Sequence, residues 1–494
     1  MGSPTEKKEE FQHEVIQSDQ ASSNSENKTA FFSAVLSNLN LEHLPAFCVS
    51  VRKALPDFSP GTPIEPVNVD SVLFGSFHAL YPIQFQHGVR WILKVPACGT
   101  PEHFNSSAAS ALQSEALTMR LIRRKTSVPV PDVIAFDATL ENTLGCPFIL
   151  MTYIQGIPLY DCWFDQTISK EELMSRRTRT LEGVAHAMAE LGRFSFPIGG
   201  ALTFDQNGNL SGPGPMRFMD HRAMLEQMKD DDEDEMAIYF EAGPFLEAKN
   251  FYLLSLNRAK EPENPVHKGM ERLLRMFLSW IPEPQGTGFV LTHPDLDIQN
   301  VIVSEDGSLK GLIDWDNVAA VPCFVGNERY PSWLTRDWDP AMYAWNEDME
   351  KGIEPDTLWE DSPDTLALHR KQYNDFMQHC LSLQKNSAQS FSPFQASSTT
   401  SKSLFVENLL IAAENPVCTY RILNKIFEKV HELAAQSDSK GMNTEAEKSN
   451  DPKDDDFGSL SFFETTDALA KEEAKKEMID FLRRGFEALF NQVC

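Results

Sequence analysis

The stretch Leu291-Thr-His-Pro-Asp-Leu-Asp-Ile-Gln-Asn-Val-Ile-Val303, continued by Gly311-Leu-Ile-Asp-Trp-Asp316, decides how the rest of the chain is read. The apolar run Gly288-Phe289-Val290-Leu291 leads into His293, Pro294 and Asp295, and Asn300 stands five residues after that aspartate. Val301-Ile302-Val303 is a short β-branched run, Glu305-Asp306-Gly307-Ser308 has hairpin-turn chemistry, and Leu309 to Ile313 reads as the return strand. A hairpin joined by one tight turn folds Asn300 and Asp314 back towards each other, where their oxygens can share a hard cation such as Mg2+. Such a cation needs only one or two protein ligands beside substrate phosphates. Asp295 precedes the hairpin, within reach of an acceptor hydroxyl held over a metal-bound nucleotide. A carboxylate to take the hydroxyl proton, an Asn and an Asp on Mg2+ are the set that phosphoryl transfer asks for.

Further out from this stretch, Trp91-Ile92-Leu93-Lys94-Val95 is a buried-type strand with one Lys in it, preceded by the turns Gly75-Ser76-Phe77 and Gln86-His87-Gly88. A strand Lys can snorkel to water at a sheet edge, or it can grip the α- and β-phosphates of ATP. Its place before a helical segment, Ser107 to Arg124, favours the second role and makes Glu115 the partner that holds Lys94 in position. Gly75 is the one candidate for a glycine-rich loop over the phosphates. Val128-Pro-Val-Pro131 ends that helix, because prolines cannot continue it.

His293-Pro-Asp-Leu-Asp-Ile-Gln-Asn300 followed by Ile313-Asp-Trp-Asp316 resembles the catalytic and metal-binding motifs of the aminoglycoside phosphotransferase family, within the protein-kinase-like superfamily and of a fungal small-molecule-kinase type. The resemblance runs from about Val67 to Pro340. It implies an α+β, two-lobed fold with a small β-rich N-lobe and a larger helical C-lobe with insertions. It also implies Asp295 as catalytic base, Asn300 and Asp314 as Mg2+ ligands, and Lys94 with Glu115 as the nucleotide clamp. The strand Pro147 to Ile154 resembles the last strand of the first lobe and its hinge, so that Thr152 and Tyr153 would meet the adenine. Three positions depart from the family pattern: Pro294 in place of Gly, Asp297 where a His is common, and Ala319-Ala-Val-Pro322 in place of Gly-Asp-Pro. A carboxylate at Asp297 repels a phosphate unless it binds substrate or turns outward. Trp315-Asp316 in place of Phe-Gly, and the lack of an Ala-Pro-Glu signature, argue against a protein kinase.

The expected division is a disordered segment over 1–28, an N-lobe over 30–155, and a C-lobe over 156–494 carrying the catalytic hairpin 288–316. Flexible segments are expected at about 382–403 and 436–460 from their polar composition. Apolar stripes at Leu181, Val184, Ala185, Met188 and Leu191, and at Met478, Leu482, Gly485 and Leu489, predict helices.

The chain is 494 residues long with a net charge of −28, which argues against nucleic acid or an anionic membrane as partner. Its eight cysteines lack CxxC pairs or framework spacing and point to reduced thiols in the cytoplasm. No apolar run reaches the length of a membrane span, and the N-terminus is too acidic for a signal or transit peptide. The expected activity is ATP- and Mg2+-dependent phosphorylation of a hydroxyl on a small molecule. The alternative is a kinase-like nucleotide-binding protein without efficient turnover, suggested by Asp297 and the single glycine of the loop. Acidic residues Asp230 to Glu235 and Asp337-Trp-Asp339 raise the further expectation that a cationic acceptor is steered by charge.

Overall fold

The computed structural model describes residues 24–56, 58, 67–85, 88–227, 237–284, 288–339, 343–387, 397–441 and 460–492. The first lobe is built on one antiparallel sheet: β1 (Asn68–Val69), β2 (Leu73–Phe74), β3 (His78–Gln84), β4 (Arg90–Pro96), β5 (Val133–Asp137) and β6 (Phe148–Thr152). Its order is β1-β3-β4-β6-β5, with β2 beside β3. Successive residues of a strand face opposite sides, and β4 uses both. Trp91, Leu93 and Val95 are buried against Phe32, Val35, Leu44 and Cys48 of the N-terminal helices Asn24–Asn38 and Leu44–Ala54. Lys94 therefore points to the other face, where the helix Ser106–Lys125 lies. That helix is capped by Asn105, whose side chain accepts from the Ala108 amide at 3.0 Å. Its buried stripe Ala108, Leu112, Glu115, Met119 and Ile122 keeps helical spacing, so Glu115 is carried inward with the apolar residues.

The second lobe is not only helical. The catalytic hairpin pairs Val301–Val303 with Leu309–Leu312, Val301 opposite Leu312, and adds Ile157–Pro158 as a third strand. Its turn is tied by Asp306, which accepts from the Ser304 hydroxyl and the Ser308 amide at 2.7 and 3.1 Å. Gly307 has φ +84°, and a Cβ there would lie 2.4 Å from the Arg176 carbonyl oxygen, so no other residue fits this turn. The unusual Ala319–Pro322 segment is a strand lying against Phe289–Leu291 in a five-stranded sheet. This sheet was not expected, because short runs between turns carry too little alternation to distinguish them from loops.

The helix Lys170–Leu191 buries Leu181, Val184, Ala185, Met188 and Leu191 as its spacing predicts. Helices Pro265–Trp280, Ser397–Glu414, Pro416–Gly441, Phe462–Ala470 and Lys476–Gln492 supply most of a second core. The last of them buries Met478, Leu482 and Leu489. Its Gly485 lies so close to Pro416–Gly441 that a Cβ would sit 2.0 Å from the Val430 carbonyl.

Three expectations of disorder are corrected. Residues 24–28 begin a helix rather than continuing a disordered arm, and residues 382–387 and 397–403 extend helices Pro363–Ser387 and Ser397–Glu414. Residues 436–441 likewise belong to the helix Pro416–Gly441. The backbone is helical at these places despite a polar composition. The acidic run 230–235, residues 388–396 and residues 442–459 lie outside the described residues.

Candidate active site

The centre of the cleft is one ammonium between two carboxylates. Lys94 Nζ donates to Glu115 Oε1 at 2.8 Å and to Asp314 Oδ1 at 2.9 Å, joining strand β4, the helix Ser106–Lys125 and the end of the catalytic hairpin. Lys94 and Glu115 are buried, whereas the Asp314 side chain is 47% exposed, so one face of that carboxylate is open to a ligand. Burial alone would lower Lys94, but the charges of Asp314 and Glu115 reverse this and hold the ammonium protonated. Lys94 in turn holds Asp314 far below the usual carboxylate range. Burial pushes Glu115 up to about 7, against the pull of Lys94. The 2.8 Å contact supports the charged pair. Asp314 is one of three described non-glycine residues with positive φ, at +61°, a strained backbone that fits a functional turn.

The second group is built around Asp295. The Asn300 amide donates from Nδ2 to both the backbone oxygen and Oδ2 of Asp295, each at 2.9 Å. That fixes the Asp295 rotamer and leaves the Asn300 amide oxygen available as an acceptor. Desolvation in the crowded cleft and the charge of Asp297 raise the Asp295 pKa, against the guanidinium of Arg329. His293 joins the two groups. Its Nε2 donates to the Ile313 carbonyl at 2.9 Å, and its ring meets the Trp315 edge at a 4.5 Å centroid distance. It is fully buried, which lowers its pKa to about 4, so it acts as a neutral brace.

Both oxygens of Asp297 are engaged within the protein. Its Oδ1 accepts from the Ile298 amide at 2.8 Å, and its Oδ2 pairs with Arg336 Nη2 at 2.6 Å. The carboxylate caps the short turn Ile298–Asn300 and is paired with the Arg336 guanidinium.

Three of the expected nucleotide contacts are not assembled as read. Gly75 lies in the β2–β3 turn, its amide donating to the His78 carbonyl at 2.9 Å. A Cβ at Gly75 would meet nothing nearer than 3.5 Å, so no backbone requirement for glycine exists there. Neighbouring Phe77 and His78 line the recess beside Lys94 instead. The Thr152 amide is taken by the Asp132 carbonyl at 2.9 Å and the Tyr153 amide by the Arg90 carbonyl at 3.0 Å. The Tyr153 ring lies under the Arg90 guanidinium at 3.9 Å. Sheet pairing continues past the strand's nominal end and uses these donors.

The acidic loop is also bound up internally. Asp337 takes both nitrogens of Arg370 at 2.6 and 3.1 Å, and Lys425 stands 4.9 Å over the Trp338 ring. These side chains cannot lure a cation while so engaged.

Sequence reasoning missed Arg329. It donates to the carbonyls of His293 and Pro294 at 3.0 and 3.2 Å and pairs with Glu407, clamping the catalytic loop to the helix Ser397–Glu414. Only a long-range contact reveals this; no local pattern marks it.

Two carboxylates of opposite character, a strand Lys locked to a helix Glu, and a strand–turn–strand carrying both motifs come together in this cleft. Residues 81–320 match the model of the phosphotransferase enzyme family, APH. The chain is 23% identical over 391 residues to "Altered inheritance of mitochondria protein 9, mitochondrial" of Kluyveromyces lactis, covering 67% of this chain and 61% of that protein. The protein of the same name from Lachancea thermotolerans is 22% identical over 345 residues, covering 60% and 54%. The chain thus spans little more than half the length of these relatives. Among solved structures, the aminoglycoside phosphotransferase APH(4)-Ia superposes with a TM-score of 0.38 at 12% identity, covering 88% of this chain and 99% of that one.

The relatives' names overturn the cytoplasmic placement. Scattered cysteines without framework spacing do not distinguish one reducing compartment from another. Among the described residues no helix is long and apolar enough to cross a membrane.

Proposed function

We propose that this protein is an ATP- and Mg2+-dependent phosphotransferase acting on a hydroxyl group of a small molecule, in a mitochondrial setting as its relatives' names suggest. The observation that carries the reading is the Lys94 ammonium shared between Glu115 and Asp314, beside an Asp295 held by Asn300. Lys94 is fixed by Glu115 for the α- and β-phosphates. Asp295, oriented by Asn300, accepts the hydroxyl proton. As it does so, the acceptor oxygen forms a bond to the γ-phosphorus and the bond from that phosphorus to the β–γ bridging oxygen breaks, its electron pair leaving with ADP. The donor set fits a hard cation: the free oxygen of Asp314, the Asn300 amide oxygen, and Asp316 two residues on. Bound there, Mg2+ would neutralise charge on the transferring phosphate. Adenine recognition needs donors other than the Thr152 and Tyr153 amides, whose hydrogen bonds are already made.

The second reading, nucleotide binding without turnover, rests on Asp297 and on the single glycine of the loop, and Gly75 in its ordinary turn still favours it. The Arg336 pair and the Ile298 amide account for that carboxylate without any such loss of function. A thermal-shift titration with ATP, with and without Mg2+, beside an ATP-turnover assay with a panel of hydroxyl compounds tests both readings. ATP at about 100 times its Kd should add about 2.7 kcal/mol of stability, and at one fixed ATP concentration the gain should be larger with Mg2+, which tightens binding. Binding with no turnover on any acceptor would favour the second reading. No binding in either metal state would sink both.

A further inference from the structure

The β2–β3 turn borders the recess beside Lys94 without the close backbone approach that a glycine-rich loop provides, since a Cβ at Gly75 would meet nothing nearer than 3.5 Å. Its shape is fixed by other contacts. The Gly75 amide donates to the His78 carbonyl and the Ala97 amide to the Phe77 carbonyl, both at 2.9 Å. The Phe74 ring stacks on Phe32 of the helix Asn24–Asn38, with centroids 5.0 Å apart and planes 25° from parallel. Sheet pairing on one side and an N-terminal helix on the other therefore hold the turn in place. Phe32, Phe74 and His78 all precede the residues that match the family model.

His78 is the side chain that this turn presents to the cleft. Along β3, Ala79, Tyr81 and Ile83 are buried under the N-terminal helices, so His78 and Leu80 face the opposite side. That is the side of Lys94, which pairs with Leu80 across β3 and β4, while His78 pairs with Pro96. His78 and Lys94 are thus diagonal neighbours on one face, a spacing of roughly 7–8 Å. The imidazole lines the recess together with Lys94 and Asp316. Lys94, Asp316 and Asp314 are the charges that bear on it, so it stands beside both the ammonium and the carboxylates proposed to hold Mg2+. Burial, and next the Lys94 ammonium, lowers its pKa to about 4. The ring is therefore neutral at ordinary pH and offers one N–H.

We infer that His78 is a nucleotide-binding residue whose imidazole N–H donates to an oxygen of the β-phosphate. The inference rests on the phosphotransferase reading, because it takes the ligand of Lys94 to be a nucleoside di- or triphosphate. Position favours the β-phosphate. A lysine in this place serves the α- and β-phosphates, the cation bridges the β- and γ-phosphates, and the β-phosphate is the one that both share. A side-chain donor on a fixed turn then does what backbone amides do on a glycine loop, and an N–H to a phosphate oxygen is of the stronger, charge-assisted kind.

The test is calorimetric titration of ADP and AMP into the full chain, with and without Mg2+. His78→Leu should weaken ADP binding about tenfold or more, the scale of a hydrogen bond to a charged group, and leave AMP binding nearly unchanged. The loss should be the same in both metal states, unlike the loss from Asp314→Asn. His78→Gln and His78→Asn keep an amide N–H near the positions of Nε2 and Nδ1, and one of them should recover part of the affinity. Should His78→Leu not fold, His78→Ala gives the same reading. Unchanged ADP affinity, an equal loss for AMP, a loss confined to the titration with Mg2+, or no recovery in either amide variant would each overturn the assignment. Native protein that binds no ADP in either metal state would refute the phosphotransferase reading and this assignment with it. Native binding that the His78 variants leave intact would refute this assignment alone.

Discussion

The catalytic loop around Asp295 and the turn around Asp314 hold the same functional group under opposite conditions. Asp295 is oriented by an uncharged amide and crowded by Asp297, so its proton affinity rises. Asp314 is bonded to an ammonium, so its proton affinity falls. Neither difference comes from the residue itself. It comes from what the fold brings alongside, a neutral donor in one case and a buried cation in the other. A carboxylate with raised pKa is suited to taking a proton; one pinned in its charged form is suited to holding cations. His293 and its bond to the Ile313 carbonyl keep the two environments adjacent without letting them merge.

The largest effect expected from breaking this contrast is at the first site. Asp295→Ala removes the proposed proton acceptor and should lower kcat by roughly 10²- to 10⁴-fold with little change in nucleotide affinity. Steady-state kinetics with any accepted hydroxyl compound checks it; near-normal turnover would remove Asp295 from the mechanism.

The clamp on the loop comes next. Arg329→Met leaves Glu407 partly buried without its cation and frees the carbonyls of His293 and Pro294. Both side chains are only 13–14% exposed, so the stability loss should reach up to about 3 kcal/mol, reduced by protonation of Glu407. Adding Glu407→Gln should recover part of the loss, whereas kcat should stay low because the loop is no longer held. Recovery of kcat along with stability would show that Arg329 acts on the fold alone.

At the second site, Asp314→Asn keeps shape and removes charge. Metal-dependent nucleotide binding should weaken by about 1.5–3 kcal/mol, the scale of an interaction with a charged group, and metal-free binding much less. Calorimetry giving the same loss in both metal states would exclude Asp314 as a cation ligand.

Which parts of this were legible in sequence follows from range. His293 to Asn300 and Ile313 to Asp316 are local patterns joined by one hairpin, so spacing alone brought Asp295 to Asn300. Lys94 and Glu115 were legible because strand alternation and helix period each place one residue on a predictable face. The partners that set the electrostatics were not legible. Arg336 lies 39 residues from Asp297, and Glu407 lies 78 from Arg329, with no pattern linking them. Thr152 and Tyr153 were misread for a related reason: a strand's sequence does not show where its pairing stops. The five-stranded sheet that carries Ala319–Pro322 was hidden by strands too short for a period to appear.

The smallest expected effect sharpens the contrast most, because it changes only one of the charges crowding Asp295. Asp297→Asn removes a carboxylate that raises the Asp295 pKa. In the proposed mechanism Asp295 acts deprotonated, so its titration should appear as the acid limb of the kcat/KM profile, with activity rising as pH rises through it. Taking away a neighbouring negative charge favours the deprotonated form, and it also frees Arg336, whose positive charge acts in the same direction. The limb should therefore move to lower pH, by less than about one unit, since one unit corresponds to about 1.4 kcal/mol and burial, the larger cause, is unchanged. It should still lie above the ordinary aspartate value. Asn retains an oxygen for the Ile298 amide and is a good cap, so the melting temperature should change little. Glu360, pushed up to about 7 by burial with Asp297 also raising it, should titrate lower in the variant and can be followed separately by NMR. An acid limb that moves to higher pH would mean that Asp297 serves Asp295 by positioning the loop, and an unmoved limb would mean that Arg336 already cancels its charge in the native protein.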